Sequence, residues 1–337
     1  VNRFPELKDK IFYFLEKTNV GVELVFQVRK KLGRLPVVDF TFPTSINLEI
    51  TSLCNLSCVH CPSHLSSAAK NPKSHGLMTM GLFNKAMDEI DSHGITRLAL
   101  HKDGEPLFHP EILTILSRVK QNQPHFVTLI TNGQLLTNEI SDALLNNHID
   151  SILFSIGAAS RSFYEMVRGS GFELVLDNIQ KFLKRREKFQ PQPIVTVQII
   201  NLPELPEMEA EIRQFKKFWE REPVTVMVYD KLNWGLFDSA VSKIKRYPCP
   251  SLWRNLFVHW DAKVSACCID WDQSLVIGNL NEQTIADIWS GDEIRAHRQA
   301  HVNNQFSVYK LCKRCNYWST ISRLDMKSIL NQAQDAL

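Results

Sequence analysis

Three thiols stand close together in the segment Cys54-Asn55-Leu56-Ser57-Cys58-Val59-His60-Cys61, and five more follow far downstream at Cys249, Cys267, Cys268, Cys312 and Cys315. Soft thiolates select iron–sulfur clusters, zinc or copper(I) over hard cations. A four-iron cube usually takes four cysteines, so one held by three leaves an iron with an open position where a chelating molecule can bind. The competing reading of the first set is a zinc knuckle completed by His60, or three unrelated buried thiols, although zinc sites more often show paired Cys-x2-Cys elements. In the second set four thiols suffice for a closed site. Its Cys312-Lys313-Arg314-Cys315 half, taken alone, favours structural zinc. Eight cysteines could also form disulfides in a secreted protein. Two groups separated by a long cysteine-free stretch suit metal better, and a reducing, cytoplasmic compartment is the expectation.

The elements that must position these thiols are legible in the apolar pattern. Short β-rich runs at Ile46 to Ile50, Arg97 to Leu100, Phe126 to Ile130, Ser151 to Ile156, Ile194 to Ile200 and Val224 to Tyr229 predict six strands. Between them apolar residues recur at helical spacing: Phe83, Met87 and Ile90; Ile112, Ile115, Leu116 and Val119; Leu176, Ile179 and Leu183; Met208, Ile212, Phe215 and Trp219. Nearly continuous apolar strands alternating with one-sided helices predict an α/β fold with a helix-covered parallel sheet, and right-handed crossovers curl it into a partial (β/α)6 barrel. The expected organisation is a helical lead-in over 1–45, the barrel over 46–230, a linker over 231–246, a small cysteine-rich C-terminal domain over 247–318 with hairpin runs at Asn255 to Trp260 and Lys263 to Cys268, and a helical tail over 319–337. The first cysteine segment then falls on the loop after strand one, at the strand's C-terminal end, the face that carries active sites in such barrels.

Bulk properties exclude several classes. Lys plus Arg at 39 against Asp plus Glu at 36 leaves a formal charge of +3, too balanced for a polyanion as principal partner, so no nucleic acid is expected. No apolar run approaches the roughly 18 residues of a membrane span, and no membrane partner is expected.

The three-cysteine spacing, with aromatic His60 just before the last thiol, resembles the signature of the radical S-adenosylmethionine (SAM) superfamily. The resemblance implies a 4Fe-4S cluster on Cys54, Cys58 and Cys61 whose open iron binds the amine and carboxylate of SAM. Reductive cleavage there gives a 5′-deoxyadenosyl radical that abstracts hydrogen from a substrate. Further matches follow in order along the barrel. His101-Lys102-Asp103-Gly104-Glu105-Pro106 is similar to the family's Gly-Gly-Glu-Pro element, with Gly104 and Glu105 at the cofactor amine and Asp103 replacing the first glycine. Phe154-Ser155-Ile156-Gly157-Ala158, with Tyr164 and Arg168-Gly169, resembles the fourth-strand segment, where Ser155 meets ribose and Arg168 the cofactor carboxylate; Gly157 stands where aspartate is usual. Thr131-Asn132-Gly133 also fits, though Asn-Gly by itself signals only a turn.

From Tyr247 to Trp318 the chain resembles the SPASM and shorter twitch domains that follow many such barrels. The resemblance implies one auxiliary four-cysteine 4Fe-4S cluster on Cys249, Cys267, Cys312 and Cys315. Cys267 is preferred because it ends the hairpin run, and Cys268 then reads as a buried small hydrophobe on the opposite side of a strand. The implied activity is oxidation of a small sugar-like or cyclitol alcohol by a radical SAM oxidoreductase, supplied with electrons by a flavodoxin or ferredoxin. Decarboxylation, epimerisation and peptide maturation are the alternatives within the family, and a non-enzymatic zinc protein the alternative outside it. A small molecule is preferred over a peptide because some 45 residues before the barrel are few for a leader-binding domain.

Overall fold

The computed structural model describes residues 41–64, 75–121, 125–235 and 246–320. The helical segments expected at Leu7 to Lys17 and Val22 to Lys31, most of the linker and nearly all of the tail lie outside these residues.

Six strands, β1 (Ser45–Leu48), β2 (Arg97–Ala99), β3 (Phe126–Thr131), β4 (Ser151–Ser155), β5 (Ile194–Asn201) and β6 (Thr225–Asp230), pair in parallel in the order β6-β5-β4-β3-β2-β1. The sheet is open, as a partial barrel requires. Each expected helical stripe is a helix with its apolar face buried. α1 (Met80–His93) buries Phe83, Met87 and Ile90, and α2 (Ile112–Arg118) buries Ile112, Ile115 and Leu116. Two helices beyond the expected stripes follow, α3 (Asn138–Asn146) and α4 (Arg161–Arg168). They start at Thr137 and Ser160, whose side chains accept the N–H groups of Ile140 and Phe163 and satisfy donors that a helix start leaves open. α5 (Phe172–Arg186) and α6 (Met208–Trp219) complete the cover. Ile46, Leu48, Leu98, Leu129, Ile152 and Val197 are fully buried in the core. Truncating any of them to alanine costs about 2–5 kcal/mol.

The C-terminal segment continues this sheet. β7 (Asn255–Val258) pairs in parallel with β1, and β8 (Lys263–Ser265) and β9 (Val276–Asn279) add antiparallel, giving nine strands in one sheet. The β7–β8 hairpin is fastened to the barrel by a buried polar chain. His259 Nδ1 lies 3.1 Å from Glu49 Oε2 and its Nε2 lies 2.9 Å from Ser265 Oγ, with all three residues out of contact with water. Three short helices, α7 (Ile285–Ser290), α8 (Asp292–Val302) and α9 (Lys310–Arg314), close the segment, and α9 carries Cys312. No helix among the described residues is long and apolar enough to cross a membrane.

Candidate active site and auxiliary thiol site

Parallel strands bring their C-terminal ends to one side, and there a cavity of about 320 Å³ opens. Its wall contains all eight residues that the sequence singled out for this site: Cys54, Cys58, His60, Cys61, Gly104, Glu105, Ser155 and Arg168. Residues from the ends of β1 to β4 therefore meet at one place although they span more than a hundred positions of chain.

The cysteine loop is held from two sides. Glu105 donates its backbone N–H to Leu53 O at 2.8 Å, and Asn132 Nδ2 donates to Asn55 Oδ1 at 2.8 Å. The first contact depends on Gly104, whose φ of +77° suits glycine and at which a Cβ would lie 2.6 Å from Thr51 O. Thr131-Asn132-Gly133 thus does more than turn the chain. Its Thr131 hydroxyl and Asn132 N–H both donate to the Glu105 carboxylate, at 2.7 and 2.6 Å. On the far wall Arg168 donates through Nη2 to Ser155 Oγ at 2.8 Å, while Nη1 lies 3.6 Å from Cys58 Sγ.

Burial sets the charge states. It raises the Cys54 thiol and pushes Cys61 to about 11, so both carry protons at neutral pH until a metal displaces them. Burial, with Arg168 and Lys231 nearby, holds His60 at about 3, and its Nδ1 has no hydrogen-bond partner. His60 therefore presents a neutral flat ring to the cavity. His101, which the sequence reading left without a role, also lines the wall and is held near 4, chiefly by burial. Burial also raises the Glu105 carboxyl, and the donors from Asn132, Thr131 and Leu107 offset this only in part.

The downstream thiols Cys249, Cys267, Cys312 and Cys315 line a second, smaller cavity, together with Arg246, His301 and Trp318. Burial pushes Cys315 to about 11 and raises Cys249 and Cys312 well above the ordinary thiol range. Cys268 is not on this wall; it hydrogen-bonds Cys267 and the Tyr317 side chain. All eight cysteines are free of disulfides. Among the described residues no three Cys, His, Asp or Glu converge closely enough for a single metal ion. Each set instead borders a common space, the arrangement a polynuclear cluster needs because its thiolates bind different irons. The second space holds only about 20 Å³, so a group entering it must part the side chains. The donor chemistry of both sets fits iron–sulfur clusters.

Comparison with known proteins agrees. Residues 48–215 match the radical SAM superfamily and residues 249–316 match SPASM, an iron–sulfur cluster-binding domain; together the matches span more than two thirds of the chain. The protein belongs to the radical SAM superfamily, in the group that carries a C-terminal SPASM domain. The S-adenosyl-L-methionine-dependent 2-deoxy-scyllo-inosamine dehydrogenase of Niallia circulans is 24% identical over 279 residues, covering 80% of this chain and 92% of that one. Among solved structures, BtrN in complex with AdoMet and 2-DOIA superposes with a TM-score of 0.53 at 19% identity, covering 81% of this chain and 92% of that chain. SuiB of Streptococcus suis bound to the precursor peptide SuiA superposes with a TM-score of 0.62 at 12% identity, covering 86% and 74%. The fold is shared with one protein solved with a small molecule and one solved with a precursor peptide.

Proposed function

We propose that the chain is a radical SAM dehydrogenase that oxidises an alcohol on a cyclitol or sugar-like ring. The observation that carries this reading is the convergence of the cysteine loop, Glu105, Ser155 and Arg168 on one cavity. A dehydrogenase relative matched over 80% of the chain supports the reaction type. In this reading Cys54, Cys58 and Cys61 hold one 4Fe-4S cluster, and Cys249, Cys267, Cys312 and Cys315 hold a second. When bound, the first cluster with SAM supplies a 5′-deoxyadenosyl radical that abstracts hydrogen from carbon, and the second, fully ligated, supplies a one-electron acceptor.

The chain's own residues bind and orient. Glu105 would accept a charge-assisted hydrogen bond from the SAM ammonium, and Gly104 lets the cysteine loop pack against it. Arg168, steered by Ser155, would pair with the SAM carboxylate, and Ser155 would bond to its ribose. The neutral His60 ring offers a face to a planar base. A flavodoxin or ferredoxin is the proposed electron source.

The test is anaerobic reconstitution followed by incubation with SAM, dithionite and 2-deoxy-scyllo-inosamine. Roughly eight irons per chain, 5′-deoxyadenosine and a ketone product are expected. Stoichiometric zinc without iron sinks the cluster assignment, and cofactor cleavage without ketone sinks the substrate assignment alone.

A further inference from the structure

Lys102 is a buried, doubly bonded residue that the proposed chemistry leaves unused. It follows β2 and lines the catalytic cavity with Asp103. Its Nζ lies 2.7 Å from Asp103 Oδ2, with the side chains only 1% and 6% exposed. An ion pair withdrawn from water to this degree gains little or nothing over apolar packing, so stability does not account for it.

The ammonium makes a second bond that crosses the molecule. Lys102 Nζ donates to the backbone carbonyl of Asp270 at 2.9 Å, a residue 168 positions away in the loop that follows Cys267. Asp270 N–H donates back to Cys267 O at 3.4 Å. The Asp270 carboxylate organises the rest of that loop, accepting from Ser274 N–H at 2.8 Å, Ser274 Oγ at 2.9 Å and Leu275 N–H at 3.1 Å. A hydrogen-bonded route thus runs from the wall of the first cavity, through Lys102, to the backbone of a thiol lining the second.

The fields follow the same route. The Asp103 charge acts on the Cys61 thiol, and the Asp270 charge acts on Cys267 and Cys312. Lys102 in turn offsets Asp270. Burial opposes the charge on Lys102, yet Asp103 and Glu49 outweigh it and hold the ammonium protonated above its ordinary range. The cation is therefore fixed at neutral pH. Lys102 lies on the first cavity and acts on the second site by offsetting the Asp270 carboxylate beside Cys267. Weakening that negative charge favours the form of a cluster there that carries one more electron, because charge and hydrogen bonding around the sulfurs are what the protein uses to set potential.

We infer that Lys102 is a positioning residue between the two thiol sites: it anchors the Cys267 loop to the catalytic cavity and raises the reduction potential of the second cluster. The inference rests on the ligand assignment proposed above. Asp103, which stands where the family's element has glycine, tempers that effect and holds the ammonium in place.

The test is a redox titration of the full-length, reconstituted protein followed by electron paramagnetic resonance. The second-site signal is identified as the one that persists when Cys54, Cys58 and Cys61 are all alanine. Lys102→Met should lower its midpoint by at least the tenfold equivalent, about 59 mV for one electron. Lys102→Arg should hold it near wild type, and Asp103→Asn should move it upward. The opposite signs keep the test decisive if Lys102→Met loads poorly, since Asp103→Asn retains the anchor. A fully loaded second cluster whose midpoint ignores Asp103→Asn, or moves in the same direction in both variants, overturns the inference. Absence of iron at the second site of the wild-type protein overturns the ligand assignment instead.

Discussion

Glu105 Oε2 accepts the backbone N–H of Asn132 at 2.6 Å, joining the end of β2 to the end of β3. Its Oε1 accepts the Thr131 hydroxyl at 2.7 Å and the Leu107 N–H at 3.1 Å. The carboxylate proposed to face the cofactor is therefore also a strut, and every protein group that touches it in these bonds is a donor.

Glu105→Gln should consequently cost twice. The new amide NH2 must confront a donor on whichever side it turns, for a loss of about 1–3 kcal/mol of stability. The lost charge should also weaken SAM binding about tenfold or more, 1.4 kcal/mol being roughly a factor of ten. Thermal unfolding reads the first effect and calorimetry the second. Unchanged affinity in a folded variant removes Glu105 from the cofactor site.

Gly157 explains a departure from the family pattern. Its φ is +80°, and a Cβ there would lie 2.5 Å from Arg168 Nε. Any side chain, including the usual aspartate, would have to displace the guanidinium that bonds Ser155. Gly157→Ala should therefore weaken SAM binding in the same direction as Arg168→Ala, and the double variant should be no worse than the more damaging single one. Fully additive losses would show that the two residues act independently.

Buried histidines make stability depend on acid, His101 and His301 among them. The folded protein holds His101 near 4 and His301 near 3, chiefly through burial, below the unfolded value of 6.5. His301 Nδ1 also accepts the Cys249 N–H at 3.2 Å, a bond that only the unprotonated nitrogen can make. Because the folded values are depressed, the stabilisation is complete above about pH 6.5 and is lost as the pH falls toward the folded values. Each histidine should remove about 1–2 kcal/mol between pH 7 and pH 5. Unfolding free energies measured across this range check the sign, and His301→Gln should flatten the slope. A protein equally stable at both pH values contradicts the assignment.

Local pattern carried the barrel: buried parallel strands are continuously apolar, and β1 to β6 fall within a residue or two of the runs read from sequence. α3 and α4 were missed although Ile140, Leu144 and Leu145, and Phe163, Tyr164 and Val167, are buried at helical spacing behind the caps Thr137 and Ser160. The junction of β7 with β1 was not legible, since register between residues about 210 apart leaves no trace in local spacing. The site residues divide the same way. Cys54, Cys58 and Cys61 announce themselves through type and spacing, and Glu105 through its resemblance to the family's Gly-Gly-Glu-Pro element. Lys102 does not, because its visible partner is its neighbour Asp103 and its informative partner lies 168 residues downstream.

That shared sheet also sharpens what removal of the second thiol pair should do. Cys312 and Cys315 sit on and just after α9, while Cys267 lies two residues beyond the hairpin whose first strand pairs with β1. Cys312→Ser with Cys315→Ser should leave roughly four irons per chain. It should also lower the unfolding temperature, because metal binding at a small-cored site contributes directly to folding. The barrel face is built by β1 to β6 and the Glu105 and Arg168 contacts, none of which uses these thiols. SAM binding and its cleavage to 5′-deoxyadenosine should therefore persist in the folded variant. If the second site accepts the electron left on the substrate, the oxidised product should fall by a hundredfold or more, on the order of the loss when an essential catalytic group is removed. Circular dichroism and SAM calorimetry first establish that the barrel is intact. Product formed at the wild-type rate by such a variant, shown to lack the second cluster, would make these thiols a structural cover and not an electron acceptor.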